Sequence, residues 1–168
     1  MPNKDFIIDP QQIDFTNVVA DIDAIRQFNL QRDAMEQLTD IVYDDVESHI
    51  CVGYRDVSQD EFWCSGHMPG MPLMPGVIMC EVAAQICSYH SKRHDLLGIE
   101  IVGFGGLDNV RFRGIVQPGD RFLMVCQMTQ LRRGRMITNR FQGFVDETLA
   151  CEGQLRGIPL PLDDLRTA

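Results

Sequence analysis

The spacing of apolar positions changes repeatedly along this chain, and each change predicts a different element. Residues 17 to 28 (NVVADIDAIRQF) place Val18, Ile22, Ile25 and Phe28 at helical spacing, with Asn17 at the N-cap position and acids in the first turns. That pattern predicts a short amphipathic helix. After Asp40 the texture turns β-like. Residues 46 to 57 (VESHICVGYRDV) carry Val46, Ile50, Val52 and Tyr54 in rough alternation and predict a long first strand. Residues 77 to 92 (VIMCEVAAQICSYHSK) are apolar on most of a helical circumference, which predicts a central helix buried on nearly all sides.

From Ile99 onward, strand and turn patterns alternate: residues 99 to 116, a PGD turn at 118 to 120, residues 121 to 131, RRGR at 132 to 135, then two more strands. In the last two, Ile137, Phe141 and Val145 share a face opposite Thr138, Arg140 and Gln142, and Leu149, Cys151 and Leu155 repeat the arrangement beyond an Asp146-Glu147 turn. An antiparallel meander with one covered face follows. One buried helix with an antiparallel sheet of five or more strands predicts an α+β fold, the sheet wrapped around the helix.

The chain has 168 residues, 45% of them apolar, enough for one compact domain. Residues 1 to 28 read as an N-terminal arm with the short helix, and 29 to 168 as the single domain proper. No run is long and apolar enough to span a membrane, and the N-terminus lacks a basic stretch leading into an apolar one, so a cytoplasmic location is expected. Six irregularly spaced cysteines without a CxxC pair read as reduced, mostly buried thiols. A net charge of −9 argues against non-specific binding to nucleic acid or anionic lipid.

Composition leaves the chemistry open, and the stretch from Gly66 to Gln85 (GHMPGMPLMPGVIMCEVAAQ) narrows it. Pro69, Pro72 and Pro75 stiffen the loop that follows His67. Pro75 and Gly76 fall where the helix begins, so the free N–H groups of Gly76 and Val77, at the positive end of the helix dipole, suit a developing oxyanion. Glu81 lies one turn further in among apolar neighbours, with Gln85 at i+4 and Ser88 at i+7 as its polar companions. Burial is expected to raise its pKa and make it a proton donor, while His67 suits a base. An acid and a base flanking a helix N-terminus match β-elimination of water from a 3-hydroxyacyl thioester. Taken alone, the pair fits better a buried Glu satisfied by Gln85 and a loop histidine without chemistry, and it is the surrounding motif that shifts the balance.

The same stretch resembles the HFPGxPxMPGVLxxEAxAQ signature of β-hydroxyacyl-[acyl-carrier-protein] dehydratases. The resemblance continues through GLDNVRFRGIVQPGDRF (106 to 122) and VDETLACEGQL (145 to 155), covering roughly residues 45 to 158. It implies a hot-dog fold and dehydration of (3R)-3-hydroxyacyl-[acyl-carrier-protein] to the trans-2-enoyl product, without a cofactor. It also implies a homodimer or trimer of dimers, with His67 from one subunit meeting Glu81 from another. Glu rather than Asp at position 81 resembles the branch that dehydrates without isomerising the double bond. The chain departs from the family at NLQRDAMEQLTD (29 to 40), which keeps Arg32 but lacks the usual Pro-His pair and apolar run. Met68 replaces the customary Phe, and Gly103 stands where an aromatic is common beside Phe104.

Other residues offer weaker signals. Arg111 and Arg113, alternating about Phe112, suit an acidic acyl carrier protein or its phosphopantetheine phosphate, and equally an ordinary solvated face. Arg132, Arg133 and Arg135 crowd a turn. Cys87, His90 and His94 share a helix face, but no carboxylate motif such as HExxH accompanies them, so no metal site is predicted. Met68, Met71, Met74 and Met79 suit an acyl tunnel or core packing. Cys64 and Cys80 lack a partner base and read as small buried hydrophobes.

Overall fold

A computed structural model describes residues 6–161. Six antiparallel strands form one sheet in the order β1-β2-β4-β5-β6-β3: β1 (Asp40–Asp45), β2 (Ile50–Asp56), β3 (Val102–Phe112), β4 (Arg121–Arg132), β5 (Met136–Val145) and β6 (Thr148–Pro159). A short helix α1 (Ile22–Ile25) precedes the sheet, and the long helix α2 (Gly76–Arg93) lies against its inner face. Met79, Val82, Ala83, Ile86 and Tyr89 of α2 pack on Cys51, Met124, Cys126 and Phe141 from the strands. This is the α+β arrangement expected from the alternation of β4 to β6 and the apolar circumference of α2. All six cysteines are free, five of them buried and Cys64 half-buried. No helix among the described residues is long and apolar enough to cross a membrane.

Two elements differ from the sequence expectation. The helix over 17 to 28 shrinks to Ile22–Ile25, capped by Asp21, whose side chain accepts from the Ala24 N–H, rather than by Asn17. Tertiary pairing overrides the local pattern: Ala20 exchanges both backbone hydrogen bonds with Ile41 and is drawn into an extended bridge, leaving Val18 exposed. The long first strand is likewise a hairpin. Asp45 accepts from the Glu47 N–H (3.0 Å) and from the Ser48 hydroxyl (2.6 Å), closing a turn that continues to His49 with φ of 60°. Val46, expected inside the strand, sits in that turn, and β2 begins at Ile50.

The outer face of the sheet is covered by the chain's own N-terminal arm. Phe6, Ile7, Ile8, Ile13 and Phe15 pack on a patch made by Val42, Val52, Tyr54, Leu123, Val125 and Phe144. Phe6 meets Phe144 edge to face at 5.0 Å, and Phe15 meets Tyr54 at 5.5 Å. Arg121 lies over both the Phe15 and Tyr54 rings.

Candidate active site

The loop between β2 and α2 is tied down at several points before it reaches His67. Glu61 is buried and accepts from Arg55 Nη2 (2.7 Å), Arg55 Nε (3.0 Å) and the Ser58 N–H (3.2 Å). Trp63 is buried too, and its carbonyl accepts from the N–H groups of Gly66 and His67. Met68 and Met71 exchange backbone hydrogen bonds around a Pro69-Gly70 turn in which Gly70 takes φ of 75°, the left-handed conformation glycine adopts without penalty. The Met74 N–H then donates to the Val116 carbonyl at 2.8 Å and fixes the loop to the chain beyond β3.

His67 is exposed, yet its ring is held. Its Nδ1 lies 2.8 Å from the Leu73 carbonyl oxygen, and the Leu73 N–H returns to the His67 carbonyl at 2.8 Å. A carbonyl can only accept, so Nδ1 carries the proton and, in the neutral ring, Nε2 presents its lone pair outward. That is the tautomer a general base requires.

Helix α2 starts at Gly76 with Pro75 as N-cap and no side-chain cap. The Pro75 carbonyl takes the N–H groups of Ile78 and Met79, whereas those of Gly76 and Val77 have no partner among the described residues. Two unspent donors therefore sit at the positive end of an 18-residue helix. Phe112 packs directly over Gly76, where a Cβ would meet its ring at 2.7 Å, so glycine allows this close approach.

Glu81 sits one turn further along, half-buried. Burial pushes its carboxyl above the usual carboxylate range, against the side-chain donors Gln85 and Gln31, which pull it down. Gln85, 2% exposed, is fixed on every side. Its Nε2 donates to Glu81 Oε1 (2.7 Å) and to the Met35 carbonyl (2.6 Å), its Oε1 accepts from the Gln37 N–H (2.9 Å), and its carbonyl accepts from Asn29 Nδ2 (2.9 Å). Arg32 gathers the carbonyls of Arg26, Asn29 and Gln31 with its guanidinium. The divergent segment 29 to 40 thus holds Gln85, and through it Glu81, in place.

Gln31 is the functional candidate that sequence reasoning missed. It stands where the family carries the histidine of its Pro-His pair, hydrogen-bonds Glu81, and has a buried Oε1 without a partner among the described residues. Replacing it with leucine removes one donor from Glu81. The Gln31→Leu variant is therefore expected to move the alkaline limb of the pH–rate profile to higher pH; an unmoved limb would show that Gln31 does not touch the acid.

His67 and Glu81 line separate depressions of the chain. His67 shares an open one with Leu73, Met74, Val77, Phe112 and Ile115. Glu81 opens on a cavity of about 150 Å³, walled by Ala84, Val102, Phe104, Ile137 and Leu155. Gly76, Val77 and His67 thus lie together, and Glu81 with Gln85 and Gln31 lies apart. Met74 and Met79 line the His67 depression while Met68 and Met71 face outward, so the Glu81 cavity is walled by other residues. Gly103 also lines the cavity, and the Leu160 side chain, 2.4 Å from where a Cβ would stand, fills the space a larger residue there would need. Of the two arginines, Arg113 is engaged by Glu152 (2.5 Å), whereas Arg111 bonds the Val110 carbonyl and remains exposed. Arg133 is held by Asp95 at 2.6 Å.

An antiparallel sheet wrapped around one long helix, with a histidine loop feeding the helix N-terminus, defines a hot-dog-fold protein. The dehydratase heterocomplex ApeI:P from Xenorhabdus doucetiae shares this fold with a TM-score of 0.71 at 15% identity, over 85% of this chain and 95% of that one. The FabA-like domain family matches residues 30–154. A 3-hydroxyacyl-[acyl-carrier-protein] dehydratase FabZ of Mannheimia succiniciproducens is 38% identical over 70% of this chain and 79% of that protein. The FabZ of Moorella thermoacetica is 39% identical over 62% and 72%, respectively. The chain belongs to the FabA-like family of 3-hydroxyacyl-[acyl-carrier-protein] dehydratases.

Proposed function

We propose that this protein dehydrates 3-hydroxyacyl-[acyl-carrier-protein] to the trans-2-enoyl thioester in fatty acid biosynthesis, with His67 as base and Glu81 as acid. The observation that carries the residue roles is the presence of an imidazole whose Nε2 lone pair is free and a carboxyl whose hold on its proton is strengthened by burial. His67 Nε2 takes the C2 proton, and the electron pair moves onto the thioester carbonyl. The Gly76 and Val77 N–H groups hold the resulting oxyanion. As the pair returns, the C3–O bond breaks and Glu81 gives its proton to the departing hydroxyl, which leaves as water. Proton transfer from His67 back to Glu81 resets the site. Gln85 and Gln31 stabilise the carboxylate formed in between.

The edge strand β3 supports a two-fold dimer. It has no partner on its outer side among the described residues and exposes Phe104, Leu107 and Phe112. An open apolar edge of eleven residues invites a second strand. Antiparallel pairing of β3 with its own copy about Leu107 sets the Val102–Phe104 end of one chain against the Phe112 end of the other. The first end borders the Glu81 cavity and the second borders the His67 depression. The dimer would therefore join His67 of one subunit to Glu81 of its partner, completing two sites. Exposed Arg111, close to that edge, is the proposed contact for the acidic carrier protein or its phosphate, with Arg113 secondary because Glu152 already neutralises it.

The deciding experiment supplies 3-hydroxyacyl-acyl carrier protein and follows enoyl formation beside free thiol. Enoyl product without thiol release is expected. Thiol release without enoyl product would make the protein a thioesterase and overturn the reading.

Glu81→Gln separates chemistry from stability. A carboxyl with a raised folded pKa stabilises the fold below its unfolded value and loses that contribution as pH rises through the folded value. At neutral pH the amide escapes this cost while keeping the Gln85 contact. Glu81→Gln should thus be inactive yet melt higher than the unsubstituted chain near pH 8, with the gain shrinking as the pH falls towards the ordinary carboxylate range, as read by calorimetry across pH.

A further inference from the structure

Four groups that bind metals converge at the far end of α2, outside the proposed active site. His90 and His94 lie at i and i+4 on one helix face, and Asp44 and Cys51 are directly opposed in the β1–β2 register beneath them. The sequence offered the two histidines without a carboxylate, and β1 supplies one. His90 Nδ1 lies 2.5 Å from Asp44 Oδ1, and His94 Nε2 lies 2.9 Å from Asp44 Oδ2. Single ligand atoms of Asp44, Cys51 and His90 fall within 4.8 Å of one another. Side-chain exposure is 1% for Asp44, 3% for His90 and 23% for His94. The cluster is therefore enclosed yet reachable through His94. Nine residues separate Glu81 from His90, about 13 Å along the helix axis.

We propose that Asp44, Cys51, His90 and His94 bind one zinc-type divalent ion that staples the β1–β2 hairpin to the C-terminal end of α2. The donor set of one thiolate, two imidazoles and one carboxylate is of the kind tetrahedral zinc takes. Bonds of about 2.0–2.3 Å place tetrahedral ligand atoms roughly 3.3–3.7 Å apart, so the two Asp44 contacts need open by only about 1 Å or less, whereas His94, which lies outside the Asp44–Cys51–His90 triad, has to swing in as the fourth ligand. In the metal-free protein the donors share protons instead. Asp44 accepts from both imidazoles and from the Cys51 thiol, and Arg93 Nε faces it at 3.4 Å. The metal would displace the thiol proton and the imidazole protons directed at Asp44. His90 meets Asp44 through Nδ1, the nitrogen that would take the metal, while its Nε2 lies buried on the other side of the ring. Arg93 packs along Tyr89 and offsets part of the negative charge of the bound thiolate and carboxylate.

The full-length protein is stripped with chelator, incubated with zinc and desalted, and its metal content is measured. One equivalent per chain is expected, with a rise in melting temperature. Cobalt in place of zinc should give a thiolate-to-cobalt charge-transfer band that Cys51→Ser removes and Cys64→Ser leaves intact. His94→Ala, at the most open ligand, tests the site with the least disturbance to the core and should weaken zinc binding roughly tenfold or more. Substoichiometric zinc, a cobalt band that survives Cys51→Ser, or His94→Ala with unchanged affinity would overturn the proposal. Dehydration by the stripped enzyme is expected to be unimpaired, so the metal result stands independently of the active-site assignment.

Discussion

An equimolar mixture of His67→Ala and Glu81→Gln chains, allowed to exchange subunits, is expected to recover about a quarter of the unsubstituted turnover, although each variant alone is inactive. In the proposed β3-paired dimer every site would take its base from one chain and its acid from the other. A mixed dimer then has one site with both groups lost and one with both intact. Random exchange makes about half the dimers mixed, which yields the quarter. Each variant alone should lose roughly 10²- to 10⁴-fold in turnover, the range of a general acid or base. Circular dichroism and sizing of each variant guard against misfolding. If both variants remain folded and exchange is verified by mass tags, absence of recovery would mean that a single chain supplies both groups.

Deleting residues 1 to 16 is expected to convert a well-behaved protein into one that self-associates. The arm covers Val52 and Phe144, both 0% exposed, together with Val42, Leu123 and Val125. Removing it presents a contiguous apolar patch on the outer face, which is what drives non-native association. Single substitutions grade the effect. Phe6→Ala loses the Phe144 contact, and Phe15→Ala loses Tyr54 and the Arg121 stack; each should cost about 1–3 kcal/mol, below a fully buried phenylalanine because the arm is half-exposed. Sizing and light scattering read the truncation, and denaturant melts read the substitutions. A truncated chain of unchanged size and melting point would show that the arm contributes nothing.

The sequence made some parts of this architecture legible and hid others for definite reasons. Helix α2 announced itself through an apolar circumference bracketed by Pro75 and Gly76, and β4 to β6 through alternation broken by turn residues. Those signals are local, and local reading suits them. The β1–β2 turn was obscured because Val46 continues the apolar alternation, while the deciding interaction is Asp45 capturing Glu47 and Ser48. The 17 to 28 helix was overread because Ala20 finds a strand partner at Ile41, twenty-one residues away. At the site, His67, Glu81 and Gln85 stood out by residue type and spacing. Gln31, Asn29 and Gln37 did not, since they act from irregular backbone by single long-range hydrogen bonds that leave no period. The one hint was Gln31 standing in place of a family histidine.

The bond from His67 Nδ1 to the Leu73 carbonyl has a consequence for how this base can vary. Its orienting partner is main chain, not a carboxylate side chain, so no point substitution at Leu73 short of a backbone change deletes the acceptor. With the Leu73 N–H also returning to the His67 carbonyl, residues 67 to 73 close a ring whose circumference, rather than whose letters, aims the imidazole. Side chains such as Met68 and Met71 can be exchanged within that ring. Inserting or removing a single residue cannot be absorbed, because it would change the span that brings the two ends into register.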